Sequence, residues 1–310
     1  MFICKIIKYI TSYKNNPYPP PYQYAGRVDM HIHTTCSDGT FSPSRLITYA
    51  KNLGLSAISI TDHDTVAAYP YALQIGHVEE LRIIPGVEIT TAYQEGLKDH
   101  FGIEILSSDD ELHILGYKID FHNLLLLNTL KKIRQAKDKR NGLIITKLQE
   151  LGFDIELKEA RKKAQCQAFG QLHIAKLLVE KRYFNTKQDV FSFLFNDEGK
   201  ASFSKKKIKP EAAIEIITRA GGIPCLAHPG LIKKGIKQNE LEIIIDNLIN
   251  SGLQGIEAYY SLYDEKQQKW LLSLAKAKNL IVVGGSDFHG KNKDIQLGQA
   301  QVPEDILEQF

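Results

Sequence analysis

The sequence predicts an α/β protein, either a barrel or a strongly twisted parallel sheet, that carries an inserted helical segment. From Arg27 onward, short apolar runs rich in β-forming residues alternate with amphipathic stretches of helical period. The alternation stops between about His122 and Lys207, where almost every pattern is helical. Hydrophobic residues make up 43% and charged residues 24% of the 310, ordinary values that exclude a disordered or collagen-like chain.

Seven strands and the helices between them account for the alternating part of the chain. The strands are predicted near Val28–His33, Ala57–Thr61, Ile83–Ile89, Leu112–Tyr117, Ile223–Ala227, Gly255–Tyr260 and Leu280–Gly284. The first helix begins with Ser42 as N-cap and Pro43 at its first position, and Gly54 ends it. A later helix begins at Pro210 and ends at the glycine pair 221–222.

The inserted segment is basic as well as helical. Its helices are predicted over Leu127–Leu151, Leu157–Gln165, Gln171–Arg182 and Thr186–Phe195. It holds 19 Lys and Arg residues against 9 Asp and Glu, whereas the whole chain has a net charge of only +3. Such a segment can bind an anionic ligand, but from charge alone a solvated basic surface is the preferred interpretation.

Four regions follow from these patterns: an N-terminal extension with a proline-rich linker (1–26), a first α/β part (27–121), the basic helical insertion (122–207) and a second α/β part (208–310).

In the extension, Lys5 and Lys8 interrupt the apolar core that a signal peptide needs. No uncharged apolar run reaches the roughly 18 residues of a membrane-spanning helix. The four cysteines form no CxxC motif, which is typical of a reducing compartment. The sequence therefore predicts a cytoplasmic protein without a transmembrane segment.

Metal-ligand side chains concentrate at the predicted strand ends. The nine candidates are His31, His33, Asp38, His63, Glu88, His113, His228, Asp287 and His289. Because the C-terminal ends of parallel strands form one face, and because residues two apart in a strand point to the same side, these side chains are expected to converge. A single histidine would be interpreted as a core or surface residue. Nine nitrogen and oxygen ligands without a thiolate instead predict two or three divalent ions, Mn²⁺ in preference to Zn²⁺ or Fe²⁺.

The same residues stand in motifs that resemble those of a known family. The motifs are Asp29-Met-His-Ile-His-Thr with Ser37-Asp38-Gly39, Ile60-Thr-Asp-His63, Pro85-Gly-Val-Glu88, His113-Ile-Leu-Gly, Ala227-His228-Pro and Ser286-Asp287-Phe-His289. They resemble the successive motifs of the PHP (polymerase and histidinol phosphatase) superfamily. The insertion is similar to that of the nucleoside 3′,5′-bisphosphate phosphatases and related 5′→3′ exoribonucleases.

This resemblance implies a distorted (β/α)7 barrel and a trinuclear metal site. In it, one ion would be held by His31, His33, Glu88 and Asp287, a second by Asp38, His63 and His289, and a third by Glu88, His113 and His228. The alternative ligand for the third ion is His100, in the long segment between Thr91 and Glu111; His113 is preferred because it lies in a periodic strand. The carboxylates Asp29, Asp62 and Asp64 would either orient ligand imidazoles or cap their loops.

The resemblance also implies a substrate site on the insertion. Lys137 and Arg140 fall where the branch has a basic pair, and Gly170-Gln-Leu-His173 resembles its Gly-Arg-Pro-His motif. With Arg134 one turn earlier, these residues are expected to bind substrate, although a solvated helix face would show the same spacing. Lys137 in place of Arg, and Gln171-Leu172 in place of Arg-Pro, predict altered phosphate recognition.

The expected function is metal-dependent hydrolysis of nucleotide phosphate esters. A metal-bound hydroxide would attack phosphorus, with Asp38 and His289 adjacent to the bound water. The substrates expected are the 3′-phosphate of nucleoside 3′,5′-bisphosphates, short 5′-phosphorylated RNA, or both, without stable binding of duplex nucleic acid. The alternatives are a phosphomonoesterase for a small metabolite such as histidinol phosphate, and a metal-stabilised binding module without turnover. The chain has no phosphate-binding P-loop and no GxSxG nucleophile motif.

Overall fold

The computed structural model of this protein describes residues 26–93, 95–108, 110–164, 169–195, 199–201, 203 and 207–310. The proline-rich linker predicted in the N-terminal extension falls outside these residues. None of the described helices combines the length and the apolar character that crossing a bilayer requires.

Strands and helices occur on both sides of a long helical segment, as predicted for an α/β protein. The strands are β1 (Arg27–Ile32), β2 (Ala57–Ile60), β3 (Arg82–Ile83), β4 (Gly86–Thr91), β5 (Leu97–Lys98), β6 (Glu104–Leu106), β7 (Leu112–Tyr117), β8 (Ile223–Leu226), β9 (Gly255–Tyr260), β10 (Ile281–Gly285) and β11 (Val302–Pro303). The helices are α1 (Pro43–Leu53), α2 (Tyr69–Val78), α3 (Leu124–Glu150), α4 (Leu157–Ala164), α5 (Gln171–Glu180), α6 (Lys187–Val190), α7 (Pro210–Arg219), α8 (Gln238–Asn250) and α9 (Glu265–Ala277). A π-helical turn, Phe191–Phe195, continues α6.

The ends of α1 show that local chemistry sets the helix boundaries. The Ser42 side chain accepts a hydrogen bond from the Arg45 backbone N–H, and Pro43 opens the helix. Gly54 ends it with φ +82°, a left-handed conformation that glycine adopts without steric cost. Between these ends, Leu46, Ile47, Ala50 and Leu53 are buried against the sheet. The predicted boundaries of this helix are therefore confirmed.

The main strands form two sheets, in the orders β11-β1-β2-β3 and β10-β9-β8-β7-β4. Single parallel bridges join the sheets at Ile32–Phe288 and at His63–Glu88. The expected (β/α)7 barrel is not confirmed, because within the described chain no continuous ladder closes the two sheets. At one seam β10 packs directly on β1: a Cβ added to Gly285 would lie 2.3 Å from the His31 backbone nitrogen. This contact requires glycine.

The region around Glu88 departs from the predicted strand pattern. The strand expected over Ile83–Ile89 is divided into β3 and β4, with Pro85, which lacks a backbone N–H, between them. The fourth predicted strand, β7, runs antiparallel to both β4 and β8, and not parallel as expected. The connection from β4 to β7 contains only the β5–β6 hairpin and no crossover helix, which is the kind of connection that antiparallel strands allow. As a consequence, the N-terminal end of β7 lies beside the C-terminal ends of its antiparallel neighbours, β4 and β8.

The insertion has a hydrophobic cluster of its own. Ile144, Leu148, Ile174, Leu178 and Leu194 are among its fully buried members. The N-terminal half of α3 instead buries Leu126, Leu130 and Ile133 in the core around the sheets. Helix α3, 27 residues long, therefore belongs to both cores and fixes the insertion over one face of the sheets.

Candidate metal centre

All nine predicted ligands lie at one face of the sheets. His31 is in β1, His33 and Asp38 follow it, and His63 follows β2. Glu88 is in β4, His228 follows β8, and Asp287 and His289 follow β10. His113 is the second residue of β7 and reaches this face because β7 is antiparallel. The antiparallel direction of β7 therefore places His113, near the start of that strand, beside ligands that lie at the ends of other strands.

The Glu88 carboxylate is the centre of the cluster. The distances from Oε2 are 3.3 Å to His31 Nε2, 3.2 Å to His33 Nε2 and 3.0 Å to His63 Nδ1, and those from Oε1 are 2.8 Å to His113 Nδ1 and 3.1 Å to His228 Nε2. Its side chain is only 1% exposed. One carboxylate therefore faces five imidazoles in a site almost without solvent.

Two further carboxylates complete the cluster. Asp287 Oδ1 lies 3.3 Å from His33 Nε2 and 3.7 Å from His31 Nε2. Asp38 Oδ1 lies 3.2 Å from His289 Nε2, and its side chain is 21% exposed. The centre is thus buried at Glu88 and open at Asp38.

These residues fit divalent cations. Ligand atoms of three groups lie within 4.8 Å of one another: His33 with Asp38, His63 and His289; His31 with His33 and Glu88; and His63 with Glu88 and His113. Several buried atoms directed into the cluster, including His31 Nε2, both ring nitrogens of His33, and Glu88 Oε2, make no hydrogen bond to any described residue. Such atoms are costly to bury unless something else binds them, and their nitrogen and oxygen chemistry suits Mn²⁺, Zn²⁺ or Fe²⁺.

The carboxylates are held as anions. Burial opposes ionisation of Glu88, but the surrounding imidazoles outweigh it and hold the pKa of this carboxyl well below its usual range. The pKa values of Asp38 and Asp287 are lowered in the same way, against burial and chiefly by His289. The three carboxylates are therefore already ionised near neutral pH and can bind a cation without losing protons of their own.

The remaining carboxylates of the motifs shape loops instead of orienting imidazole rings. Asp29 accepts backbone N–H bonds from His31, Ser286 and Gly298, and burial raises its pKa to about 6. Asp62 binds the backbone and hydroxyl of Thr34. The Asp64 carboxylate accepts hydrogen bonds from the backbone N–H and hydroxyl of Thr90 and from the Lys137 ammonium. Of the two alternatives, loop capping is the one these contacts favour.

Three residues near the ligands were not singled out from the sequence. Glu257, fully buried in β9, accepts a hydrogen bond from His31 Nδ1 at 3.0 Å. Asp287 Oδ2 accepts from the Tyr260 hydroxyl at 2.8 Å and forms an ion pair with Lys293 at 2.6 Å. A signal for Glu257 was present: it is an acidic residue in the otherwise apolar strand Gly-Ile-Glu-Ala-Tyr-Tyr.

The insertion forms the opposite wall of a cleft of about 820 Å³ above the metal ligands. Asp38, His63 and His113 line one side. The insertion side includes Lys132, Lys137, Lys139, Arg140, His173 and Lys207. Three of the four predicted substrate-binding residues, Lys137, Arg140 and His173, therefore line the cleft.

Arg134, the fourth predicted substrate-binding residue, does not line the cleft. Arg134 lines a separate depression, where its Nη1 donates to the Asp64 carbonyl at 2.5 Å. Lys137 lies at the cleft, but its Nζ is 2.5 Å from Asp64 Oδ2, so part of its charge is already compensated. His100 contacts the Phe101 ring at the exposed tip of the β5–β6 hairpin, whereas His113 lies in the cluster. Between these two, the geometry selects His113.

Comparison with known proteins assigns the family. The family model of the PHP domain matches residues 29–219, more than half of the chain. The chain belongs to the PHP domain family. The PHP match contains the six predicted ligands from His31 to His113 and the whole insertion (122–207), and it ends before His228.

Individual PHP relatives extend the similarity to most of the chain. The chain is 30% identical to the 5'-3' exoribonuclease Rnm of Escherichia coli (strain K12) over 279 residues, 89% of each protein. It is 24% identical to the 3',5'-nucleoside bisphosphate phosphatase of Chromobacterium violaceum over 266 residues, 84% of this chain and 87% of that one. A provisionally assigned metal-dependent phosphoesterase of known structure from Bifidobacterium adolescentis matches with a TM-score of 0.79 and 27% identity, over 94% of this chain and 96% of that one.

Proposed function

We propose that this protein is a metal-dependent phosphohydrolase that acts on nucleotide phosphate esters. The observation that carries the proposal is the juxtaposition of nine metal-ligand side chains with a basic wall across one cleft. A phosphate ester needs both: cations at the reacting phosphoryl group, and positive charge for any further phosphate. The names of the Escherichia coli and Chromobacterium violaceum relatives support the same class of substrate.

Three ions, with Mn²⁺ preferred, would use the ligands as follows. His31, His33, Glu88 and Asp287 would hold the first, Asp38, His63 and His289 the second, and Glu88, His113 and His228 the third. The position of His33 between the first and second groups, and of His63 between the second and third, supports this compact arrangement. When bound, such ions lower the pKa of water and neutralise the phosphoryl oxygens as charge develops.

The protein's own groups prepare the open side of this centre. Asp38 is the partly exposed carboxylate of the cluster and lines the cleft, so it would lie beside the phosphoryl group of a bound substrate. His289 Nδ1 is 2.8 Å from the Asp287 carbonyl oxygen, which fixes a proton on Nδ1. Its Nε2 is then available to a cation or to Asp38, 3.2 Å away. Asp38 and His289 are therefore the residues adjacent to the site of attack.

The basic wall would bind a second phosphate group. Arg140 presents a planar guanidinium that can bind two phosphate oxygens at once, and Lys137 adds a point charge. The Nδ1 atom of His173 accepts a hydrogen bond from the Gly170 N–H, so a neutral His173 carries its proton on Nε2. This arrangement favours a substrate with two phosphates about one nucleotide apart over a simple metabolite monoester.

The test is a comparison of three substrates with purified protein and Mn²⁺. We expect turnover of 3′-phosphoadenosine 5′-phosphate, of a short 5′-phosphorylated RNA, or of both, in preference to histidinol phosphate. Preference for histidinol phosphate would favour the small-metabolite alternative. Binding of Mn²⁺ without hydrolysis of any of the three would favour a non-catalytic module.

A further inference from the structure

Glu257 joins two of the proposed ligands from behind the metal cluster. Its side chain lies in β9 and is completely buried. The distances from His31 Nδ1 to Oε1 and Oε2 are 3.0 and 3.2 Å. The backbone N–H of His228 donates to Oε2 at 2.7 Å. Among the described residues, Glu257 forms no ion pair with a lysine or arginine. Its carboxylate instead accepts hydrogen bonds from these two histidines.

Each contact affects how the Nε2 atom of the histidine is directed at Glu88. A hydrogen bond from Nδ1 of His31 to a carboxylate places the ring proton on Nδ1 and leaves the Nε2 lone pair directed at Glu88. His228 has φ +26° and ψ 57°, a strained conformation for a residue with a Cβ. Its backbone bond to Glu257 holds that conformation, with Nε2 3.1 Å from the other oxygen of Glu88.

We infer that Glu257 is a positioning residue that fixes the His31 ring and the His228 backbone together, and so couples the two ions proposed to share Glu88. The inference rests on the proposed metal centre. His31 belongs to the first proposed ion and His228 to the third, and neither contact of Glu257 reaches the cleft. Glu257 therefore acts through these ligands and does not contact the substrate.

The substitution Glu257→Gln tests this role with almost no change in size. Glutamine has one acceptor oxygen and one donor amide, whereas both histidine groups donate to Glu257. The amide must therefore face either His31 Nδ1 or the His228 N–H. In the first case the His31 ring proton is displaced to Nε2, where it blocks a cation, and in the second the strained loop loses its hydrogen bond.

The experiment titrates metal-free protein with Mn²⁺ and measures free Mn²⁺ by its electron paramagnetic resonance signal. We expect Glu257→Gln to weaken at least one Mn²⁺ about 10–100-fold, the range typical of residues that orient ligands. The matched control is Glu265→Gln, the same chemical change at a side chain that is 81% exposed on α9, which should bind as the wild type does. Thermal unfolding of the metal-free variants detects a general loss of structure.

The outcomes separate the possibilities. Glu257→Gln with wild-type Mn²⁺ affinity and stoichiometry would overturn the inference. If that variant does not fold, Glu257→Asp keeps two acceptor oxygens on a shorter side chain; Mn²⁺ binding weaker than in the control, at an unchanged metal-free melting temperature, would support the role, and wild-type binding would overturn it. Wild-type protein that binds no Mn²⁺ would instead refute the proposed metal centre.

Discussion

At the scale of single residues, Glu88 contacts more of the proposed ligands than any other described side chain, because it faces five imidazoles. Its two oxygens face imidazoles of all three proposed ions, so no neighbour can substitute for its charge. We expect Glu88→Gln to lose at least one Mn²⁺ and to lower kcat about 100-fold or more, because the ions contribute several kcal/mol to the reaction. Metal content by elemental analysis, with steady-state kinetics, measures both effects.

The control for this change is Glu104→Gln, since Glu104 is exposed on β6. Glu111 does not serve as a control, because it lies 3.6 Å from His113 Nε2 and lines the cleft. Similar mild effects at Glu88 and Glu104 would show that Glu88 does not bind metal.

His173 provides a pH-dependent test at the residue scale. Burial, reinforced by the nearby Lys176, lowers the pKa of its imidazole in the folded protein. The unfolded chain therefore takes up the proton first, and the stabilisation present above pH ~6.5 is lost as the pH falls from there towards the folded pKa. We expect His173→Asn to flatten the decrease in unfolding free energy between pH 7 and 5. Urea unfolding in the presence of chelator measures it, and parallel profiles for both proteins would contradict the assignment.

At the scale of elements, α3 links the sheets to the insertion. It also carries Arg140 and Lys137, the residues proposed to bind the second phosphate, which are called the phosphate clamp below. Loss of a charge-assisted contact of about 1.5–3 kcal/mol should lower kcat/KM roughly 10–100-fold. For Arg140→Ala we expect this loss with 3′-phosphoadenosine 5′-phosphate and no loss with p-nitrophenyl phosphate, which has no remote phosphate. Lys131→Ala, on the exposed side of the same helix, is the control. An equal loss on both substrates, or none on either, would exclude the clamp.

Lys137, one turn before Arg140, has a second role that its sequence position did not indicate. Its ammonium contacts Asp64 and Thr90, both at the edge of the metal face, so it attaches α3 to the sheets. Arg134 adds a contact to the Asp64 carbonyl. The spacing of basic residues along α3 identified the helix face, but it did not distinguish tethering residues from those open to substrate.

Much of the α/β pattern and all nine candidate ligands could be located from the sequence, because strand periodicity, helix caps and ligand motifs are local signals. Strand direction is not local: nothing within Leu112–Tyr117 shows that β7 is antiparallel. The division into two sheets is not a local property either, because it depends on the contact between β1 and the end of β10, which is a single bridge and not a continuous ladder. Glu257 was missed because its partners, His31 and His228, are distant in sequence, and only the folded chain brings them together.

At the scale of the whole molecule, the nine proposed metal ligands all come from the sheets and their loops, and the insertion adds none of them. Ions that bind only the native state stabilise it by about 2.7 kcal/mol when the free concentration is 100 times Kd. We therefore expect removal of Mn²⁺ by chelator to lower the melting temperature of the wild type by several degrees. The shift should be smaller in Glu88→Gln, which is expected to lose at least one ion. Identical melting with and without Mn²⁺ would argue against a metal centre.

The order of the ligands along the chain has a consequence for biosynthesis. Seven of the nine precede α8, whereas Asp287 and His289 follow β10. During translation, a nascent chain can therefore gather Glu88 and its five imidazoles, but it lacks two ligands of the proposed first and second ions until β10 has left the ribosome. This order would leave the first and second proposed ion sites incomplete until residues 287–289 have been synthesised.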